Sequence, residues 1–185
     1  MISVTDLRKG VTFEMDGELY KVLDYQHNKP GRGNATIRTR LRNLRSGSNV
    51  DRTFQSGDRV QDVRLDRRTV QFLYSDGEFY HFMDLESYEQ PILGTDILGD
   101  AANYLVDGLN LELSLYDSEP IDVELPVTVD MRVAKTEMAI KGDTATGATK
   151  DATTETGLVV RVPLFVSEGD TIRVDTRTGG YLTRV

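Results

Sequence analysis

Five cations crowd one short stretch. Between residues 26 and 42 the chain reads QHNKPGRGNATIRTRLR, placing Lys29, Arg32, Arg38, Arg40 and Arg42 close together. A guanidinium binds an oxyanion through two parallel hydrogen bonds, so a row of arginines suits phosphate better than a row of ammoniums would. Nothing nearby supplies reaction chemistry. The two histidines, His27 and His81, are far apart, and neither has the local setting of a nucleophile–base–acid triad. The chain has no cysteine, which excludes disulfides, thiolate metal sites and cysteine nucleophiles together. Two scattered histidines make a poor zinc site. There are 30 acidic residues, but no spacing selects a catalytic pair. The run Gly142-Asp143-Thr144-Ala145-Thr146-Gly147 lacks the lysine-plus-hydroxyl that follows in a phosphate loop. Binding, not catalysis, is the chemistry that survives, and no cofactor or metal is expected.

The elements that hold these cations follow from local sequence. Pro30 fixes its own φ, and Gly31 and Gly33 free the backbone on both sides of Arg32. A Pro-Gly-x-Gly run between two β-like segments predicts a hairpin or short Ω-loop with Arg32 at its apex. Beyond Ala35 the chain alternates, with Ile37, Thr39 and Leu41 on one face and Arg38, Arg40 and Arg42 on the other. The expectation is a basic ribbon with a pointed tip.

Charge is segregated along the chain. The net charge is −8, but residues 1–68 hold 14 Lys and Arg against 9 Asp and Glu, while residues 69–185 hold 8 against 21. The first part is therefore near +5 and the remainder near −13, a basic working end on an acidic body. No apolar run approaches the ~20 residues that span a bilayer. The start, MISVTDLRKG, lacks the pattern of a signal peptide. A cytoplasmic protein without membrane contact is expected.

Turn signals and alternation predict an all-β chain of three small barrels. In residues 1–64, strands at 12–15 and 19–26 are joined at Asp16-Gly17. The arginine strand follows, then strands at 50–54 and 60–65. Five short strands suggest an SH3-like barrel. In residues 65–126, strands at 69–75 and 78–84 flank Asp76-Gly77. Thr95 is expected to cap a helix over 96–106 that stops at Gly108, and strands at 109–116 and 121–125 close the unit. In residues 127–185, strands are expected at 127–134, 157–166, 171–175 and 181–185. Residues 141–156 read as a long polar loop, and the whole suits an OB-fold. Tyr20, Tyr25, Tyr74 and Tyr80 are candidates for stacking on bases.

Several motifs resemble one known family. Lys29-Pro30-Gly31-Arg32-Gly33-Asn34-Ala35 is similar to the apical loop of bacterial elongation factor P. Lys150, Ala152, Gly157, Val162, Pro163, Val166 and Gly169 stand at the spacings of that family's C-terminal signature. Lys141-Gly142-Asp143-Thr144, and Asp175 to Gly179 followed by Tyr181 and Arg184, are similar too. So are Asp76-Gly77-Glu78-Phe79 and Phe82-Met83-Asp84. The likeness runs the length of the chain in order. Glu137-Met138-Ala139 and Gly180 depart from the family pattern.

The resemblance implies a KOW-type SH3-like barrel followed by two OB-folds, in an L shape like tRNA. It implies a monomeric translation factor that binds both ribosomal subunits and ribosomal RNA beside peptidyl-tRNA, and that relieves stalling at consecutive prolines. Arg32 would approach the peptidyl-transferase centre, with Lys29, Pro30, Gly31, Gly33 and Asn34 shaping the RNA-binding tip. Gly142, Asp143, Thr144, Tyr181 and Arg184 would contact RNA and the small subunit. Many relatives carry a modified lysine at the tip, so Arg32 is also a candidate target of a modifying enzyme. The rival readings are a general single-stranded RNA chaperone, against which the acidic body argues, and a small-molecule enzyme, which lacks an acid–base pair.

Overall fold

The computed structural model describes residues 1–138 and 147–185. Nearly all regular structure is antiparallel sheet, in three sheets. The first holds β1 (Ile2–Ser3), β2 (Thr12–Met15), β3 (Glu18–Asn28), β4 (Thr36–Asn43), β5 (Asn49–Gln55) and β6 (Arg59–Asp62), in the order β1-β6-β2-β3-β4-β5. The second holds β7 (Asp66–Ser75), β8 (Tyr80–Asp84), β9 (Ile92–Leu93), β10 (Asn110–Tyr116) and β11 (Glu119–Glu124), in the order β11-β10-β7-β8-β9. The third holds β12 (Thr128–Thr136), β13 (Thr149–Thr154), β14 (Val159–Pro163), β15 (Thr171–Asp175) and β16 (Tyr181–Arg184), in the order β14-β13-β12-β15-β16. The chain divides into two compact units, residues 1–67 with 114–122 and residues 68–113 with 123–185.

The first unit is organised by the period-2 pattern of its strands. Val4, Leu7, Phe13, Val22, Ile37, Leu41, Phe54 and Val60 form one buried cluster. Removing such side chains from water stabilises by about 1.5–3 kcal/mol each. A second cluster of Leu19, Leu44 and Ile121 has Val63, Leu65 and Tyr116 packed against it. The hairpin between β2 and β3 turns at Asp16-Gly17, with φ of 54° and 78°. Two successive left-handed residues match the twist of the flanking strands, which is why Asp-Gly signals this turn. After β4, the side-chain oxygen of Asn43 accepts from the backbone N–H of Arg45 and Ser46 at 2.9 and 3.0 Å. That contact folds the chain back into β5. The short β1 was not expected; it exists by pairing with β6, nearly sixty residues away.

In the second unit two expectations fail. The helix over 96–106 is only a four-residue turn, α1 (Thr95–Leu98), followed by a 3-10 segment, Gly99–Tyr104. Gly99 has φ 52°, ψ −132°, outside helical space, and ends α1 there. Gly94, not Thr95, stands at the N-cap, without a side-chain cap bond. The 3-10 segment still buries Tyr104, which packs with Val129, Met131, Val133, Val160, Val162 and Ile172.

The loop expected over 141–156 contains β13, which lies between β12 and β14. Lys150, Ala152 and Thr154 face inward and are buried, and Ala152 belongs to the same core cluster. Lysine and threonine on either side of a small alanine give little apolar contrast, yet the alternation is that of a strand. Residues 139–146, including the Gly142, Asp143 and Thr144 of the sequence reading, lie outside the described residues.

Candidate nucleic-acid interface

The β3–β4 hairpin is a finger whose two faces differ in kind. On β4, Ile37, Thr39 and Leu41 are at most 2% exposed. The Thr39 hydroxyl donates to the Arg52 carbonyl oxygen at 2.8 Å, so its burial leaves no polar group unpaired. Arg38 and Arg40 point the other way and are exposed, while Arg42 is half-buried. The expected alternation is therefore the observed one. The strand pairs with β3 on one side and β5 on the other, which stiffens it along its length.

At the end of the finger, Asn28 lies opposite Thr36 and the chain between them leaves the sheet. Lys29, Pro30, Gly31, Arg32, Gly33 and Asn34 are all exposed. Gly33 holds φ 129°, and a Cβ built there would meet nothing closer than Pro30 at 3.9 Å. Space is open at that position, but the backbone conformation is one that side-chain-bearing residues rarely adopt. Arg32 forms no ion pair or hydrogen bond among the described residues, so its guanidinium is free to meet an outside anion. His27, also exposed, sits on β3 just below this loop, opposite Ile37.

Sequence alone overstated the uniformity of the basic ribbon. A β-bulge between Val22 and Asp24 shifts the register of β3, so Asp24 lies opposite Arg40. Asp51 lies opposite the same arginine from β5. Arg38, by contrast, lies between Gln26 and Thr53. Asp24, Tyr25, Gln26, Arg38, Arg40 and Asp51, with Thr39, line a shallow hollow of about 320 Å³ on this face. Arg40 thus carries its charge between two aspartates and Arg38 between neutral groups. Arg42 lies opposite Lys21, whose Nζ is held 2.7 Å from Asp122 Oδ2. Arg8, which the sequence reading did not single out, lies over the Tyr25 ring at 5.2 Å. No local sequence signal brings residues 8 and 25 together.

The tyrosines offered for stacking fare differently. Tyr20 is half-buried, 6.0 Å from the Phe13 ring, and Tyr80 half-buried, 6.1 Å from Phe72. Tyr74 is exposed and lies flat on His81 at 4.4 Å. His81 also meets Asp76, Nε2 to Oδ2 at 2.9 Å. That contact, helped by the backbone N–H groups of Phe79 and Glu78, lowers the Asp76 carboxyl to about 2. His81 is therefore on a sheet face within an aromatic hairpin, as its position in the sequence implied.

In the third sheet Tyr181 is half-buried against the core cluster and Arg184 is exposed. Arg184 does not stand free. Its guanidinium lies 5.0 Å over the Phe165 ring and 3.6 Å from Asp170 Oδ2. Among the described residues no three His, Asp or Glu side chains converge as a metal site would require.

Three family models match in order: the elongation factor P (EF-P) KOW-like domain at residues 3–60, the elongation factor P (EF-P) OB domain at 65–123 and the elongation factor P C-terminal model at 129–184. Elongation factor P of Moorella thermoacetica is 49% identical over 184 residues, covering 100% of both chains. Elongation factor P of Pelotomaculum thermopropionicum is 48% identical over 185 residues, again covering 100% of both. Among solved structures, eukaryotic translation initiation factor 5A from Methanococcus jannaschii superposes with a TM-score of 0.53 at 22% identity. That match covers 67% of this chain and 91% of the other, a likeness of fold.

Proposed function

Since the chain belongs to the elongation factor P family, and is thus a translation elongation factor, we propose that it works by holding the Arg32 guanidinium against peptidyl-tRNA next to the ribosomal peptidyl-transferase centre. Its site lies between the peptidyl-tRNA and exit positions, in the cytoplasm. The reaction it favours is peptide-bond formation when the nascent chain stalls at consecutive prolines. Three domains, at residues 1–64, 65–126 and 127–185, divide the work, with the boundaries of the three family matches in support.

The observation that carries this reading is the tip: an exposed guanidinium, unpaired among the described residues, at the end of a stiff two-faced finger. β4 runs 8 residues, about 26 Å at about 3.3 Å per residue, and the exposed loop of residues 29–34 extends beyond it, so the tip can enter a crevice. The tip carries no acid–base pair, and the role proposed for it needs none. Arg32 and the finger cations hold phosphates of the terminal nucleotides and reduce the entropy lost on aligning the reactive ester. Proline is a poor nucleophile in this setting, and alignment is where help matters. A hundredfold gain needs only about 2.7 kcal/mol of transition-state stabilisation. Lys29, Pro30, Gly31, Gly33 and Asn34 shape the tip, and Arg38 and Arg42 anchor it. Tyr181, Arg184 and the Gly142-Asp143-Thr144 segment serve the small-subunit end. A covalent extension of Arg32 by a modifying enzyme would lengthen the reach of the same group.

The test is synthesis of a triple-proline reporter in a purified translation system, with and without the protein. Addition should restore synthesis. Arg32→Ala should lose that rescue by up to about a hundredfold, while melting temperature and most ribosome affinity stay as they were. Normal rescue by Arg32→Ala would refute the role given to the tip.

A further inference from the structure

The root of the finger is held by a carboxylate that lies 101 residues further along the chain. Lys21 on β3 brings its Nζ to 2.7 Å from Asp122 Oδ2 on β11. The lysine side chain is 27% exposed and the aspartate 10%, so the pair is mostly shielded from water. Salt screens such a pair far less than it screens an exposed one. Beside it, Ile121 packs with Leu19 on β3 and Leu44 just after β4, and Tyr116 adds partial cover. Residues 114–122 belong to the first compact unit, although β10 and β11 are strands of the second sheet. The finger therefore stands on a hairpin tip that its own stretch of sequence does not supply.

Charge gives the reason for an acid there. Lys21 lies directly opposite Arg42. Two cations facing each other across antiparallel strands repel and weaken the pairing. Among the described residues Asp122 is the one carboxylate that meets Lys21, and its charge offsets that repulsion. The consequence is felt at the far end. From Lys21 to Asn28, the end of β3, the strand rises about 23 Å. A tilt of about 5° at the root would carry that end about 2 Å sideways, and a misplacement of about 1 Å can cost about a hundredfold in rate. We infer that Asp122 is a positioning residue: by neutralising Lys21 against Arg42 it keeps β3 and β4 paired at the root and so fixes where the Arg32 guanidinium is presented. It acts through the strand pair and needs no contact with RNA. The inference rests on the functional reading above and adds to it a determinant outside the finger.

Two readouts on the full-length protein test this. The chain has no cysteine, so Asn34→Cys at the tip and Gln61→Cys on β6, both at exposed positions, take a pair of spin labels cleanly. The distribution of label–label distances should be narrow with Asp122 in place and wider by about 2 Å with Asp122→Asn. In the triple-proline assay, without labels, Asp122→Asn should lower the rate at saturating factor about tenfold and leave the half-saturating concentration within about twofold. Asp122→Glu keeps the charge and should retain most of the rate. Lys21→Met with Asp122→Leu removes both charges and lets an apolar pair fill the space, so it should stay within about threefold of wild type. Melting curves establish which variants fold. Should Asp122→Asn not fold, the Lys21→Met, Asp122→Leu variant carries the test, and a loss beyond about threefold overturns the inference. An unchanged distance distribution, an unchanged maximal rate, a loss of affinity alone, or a double variant no better than Asp122→Asn would overturn it as well. Absence of rescue by the wild-type protein would instead sink the functional reading, while the spin-label distances would still decide what Asp122 does to the finger.

Discussion

In the finger, Arg32, Arg38 and Arg40 project into solvent with no carboxylate at ion-pair distance among the described residues, whereas in the third sheet Arg161, Arg173, Arg177 and Arg184 each have one. Arg173 grips Asp130 with two hydrogen bonds, Nε to Oδ1 at 2.8 Å and Nη2 to Oδ2 at 3.1 Å. Arg177 grips Asp175 in the same way, at 3.1 and 2.9 Å. Arg161 and Arg184 sit 3.7 and 3.6 Å from Asp151 and Asp170. A guanidinium whose donors are occupied inside the protein has less to offer a phosphate. The contrast teaches that the basic working end is defined by unspent hydrogen-bonding capacity as much as by net charge. The same criterion ranks residues within a region. Arg184 is tied to Asp170 and Phe165, and Arg40 lies between Asp24 and Asp51, so each has less to give than Arg38 or Arg32.

The comparison breaks most severely if the finger loses its shape. Leu41 is fully buried beneath the arginine face. Leu41→Ala should cost about 2–5 kcal/mol of stability, from lost burial and the cavity left behind. Urea denaturation measures this, and rescue of proline-run synthesis should fall in parallel. Truncating Arg38 on the opposite face should leave the denaturation midpoint nearly unmoved. Equal destabilisation by both would mean that the two faces are not separable.

A smaller effect sharpens the ranking. Each cation that neutralises an RNA phosphate steepens the salt dependence of binding by roughly 0.7–0.9 on a log–log slope. Arg38→Ala should flatten the slope for ribosome binding by about that amount. Arg40→Ala should flatten it less, because Asp24 and Asp51 already offset its charge. The reverse order would show that the flanking aspartates do not matter.

Much of this is legible in the sequence. The β4 alternation could be read because one face is aliphatic and the other guanidinium, so period 2 appears at full contrast. Asp16-Gly17 announced its turn through left-handed backbone preference. What stayed hidden depends on partners distant in sequence or on weak contrast. β1 exists only through β6. β13 buries Lys150, Ala152 and Thr154, two polar residues and a small one that together carry only a weak apolar signal. The central helix was overread because Ile97, Leu98, Ala101 and Leu105 keep a helical spacing across Gly99, whose backbone stops the helix. At the site, the exposure of the tip and of two of the β4 arginines follows the sequence pattern, but the setting of each arginine was hidden. The bulge that sets Asp24 against Arg40 is a matter of register, and register is decided by pairing rather than by composition.

The smallest expected effect is the one most specific to the contrast. Asp130 is held below the ordinary aspartate value of 3.8, chiefly by its hydrogen bonds from Arg173. Asp175 is lowered likewise by Arg177, through both side-chain and backbone donors. A carboxyl whose folded value lies below its unfolded value stabilises the fold at neutral pH. That contribution begins to fade as pH falls toward 3.8 and is gone once pH has dropped below the folded value. An Asp130→Asn, Asp175→Asn double variant should therefore melt below wild type at pH 6 and converge with it as the solution is acidified toward pH 2. The increment will be modest, because Asp130, Arg173 and Arg177 are exposed and screened by water, and only Asp175 is buried. An Arg38→Ala, Arg40→Ala variant has no such pairs to lose, and its melting temperature should run parallel to wild type over the same range. Convergence of the finger variant instead would reveal carboxylates bound by the finger arginines in solution, and the division between free and committed guanidiniums would then not hold.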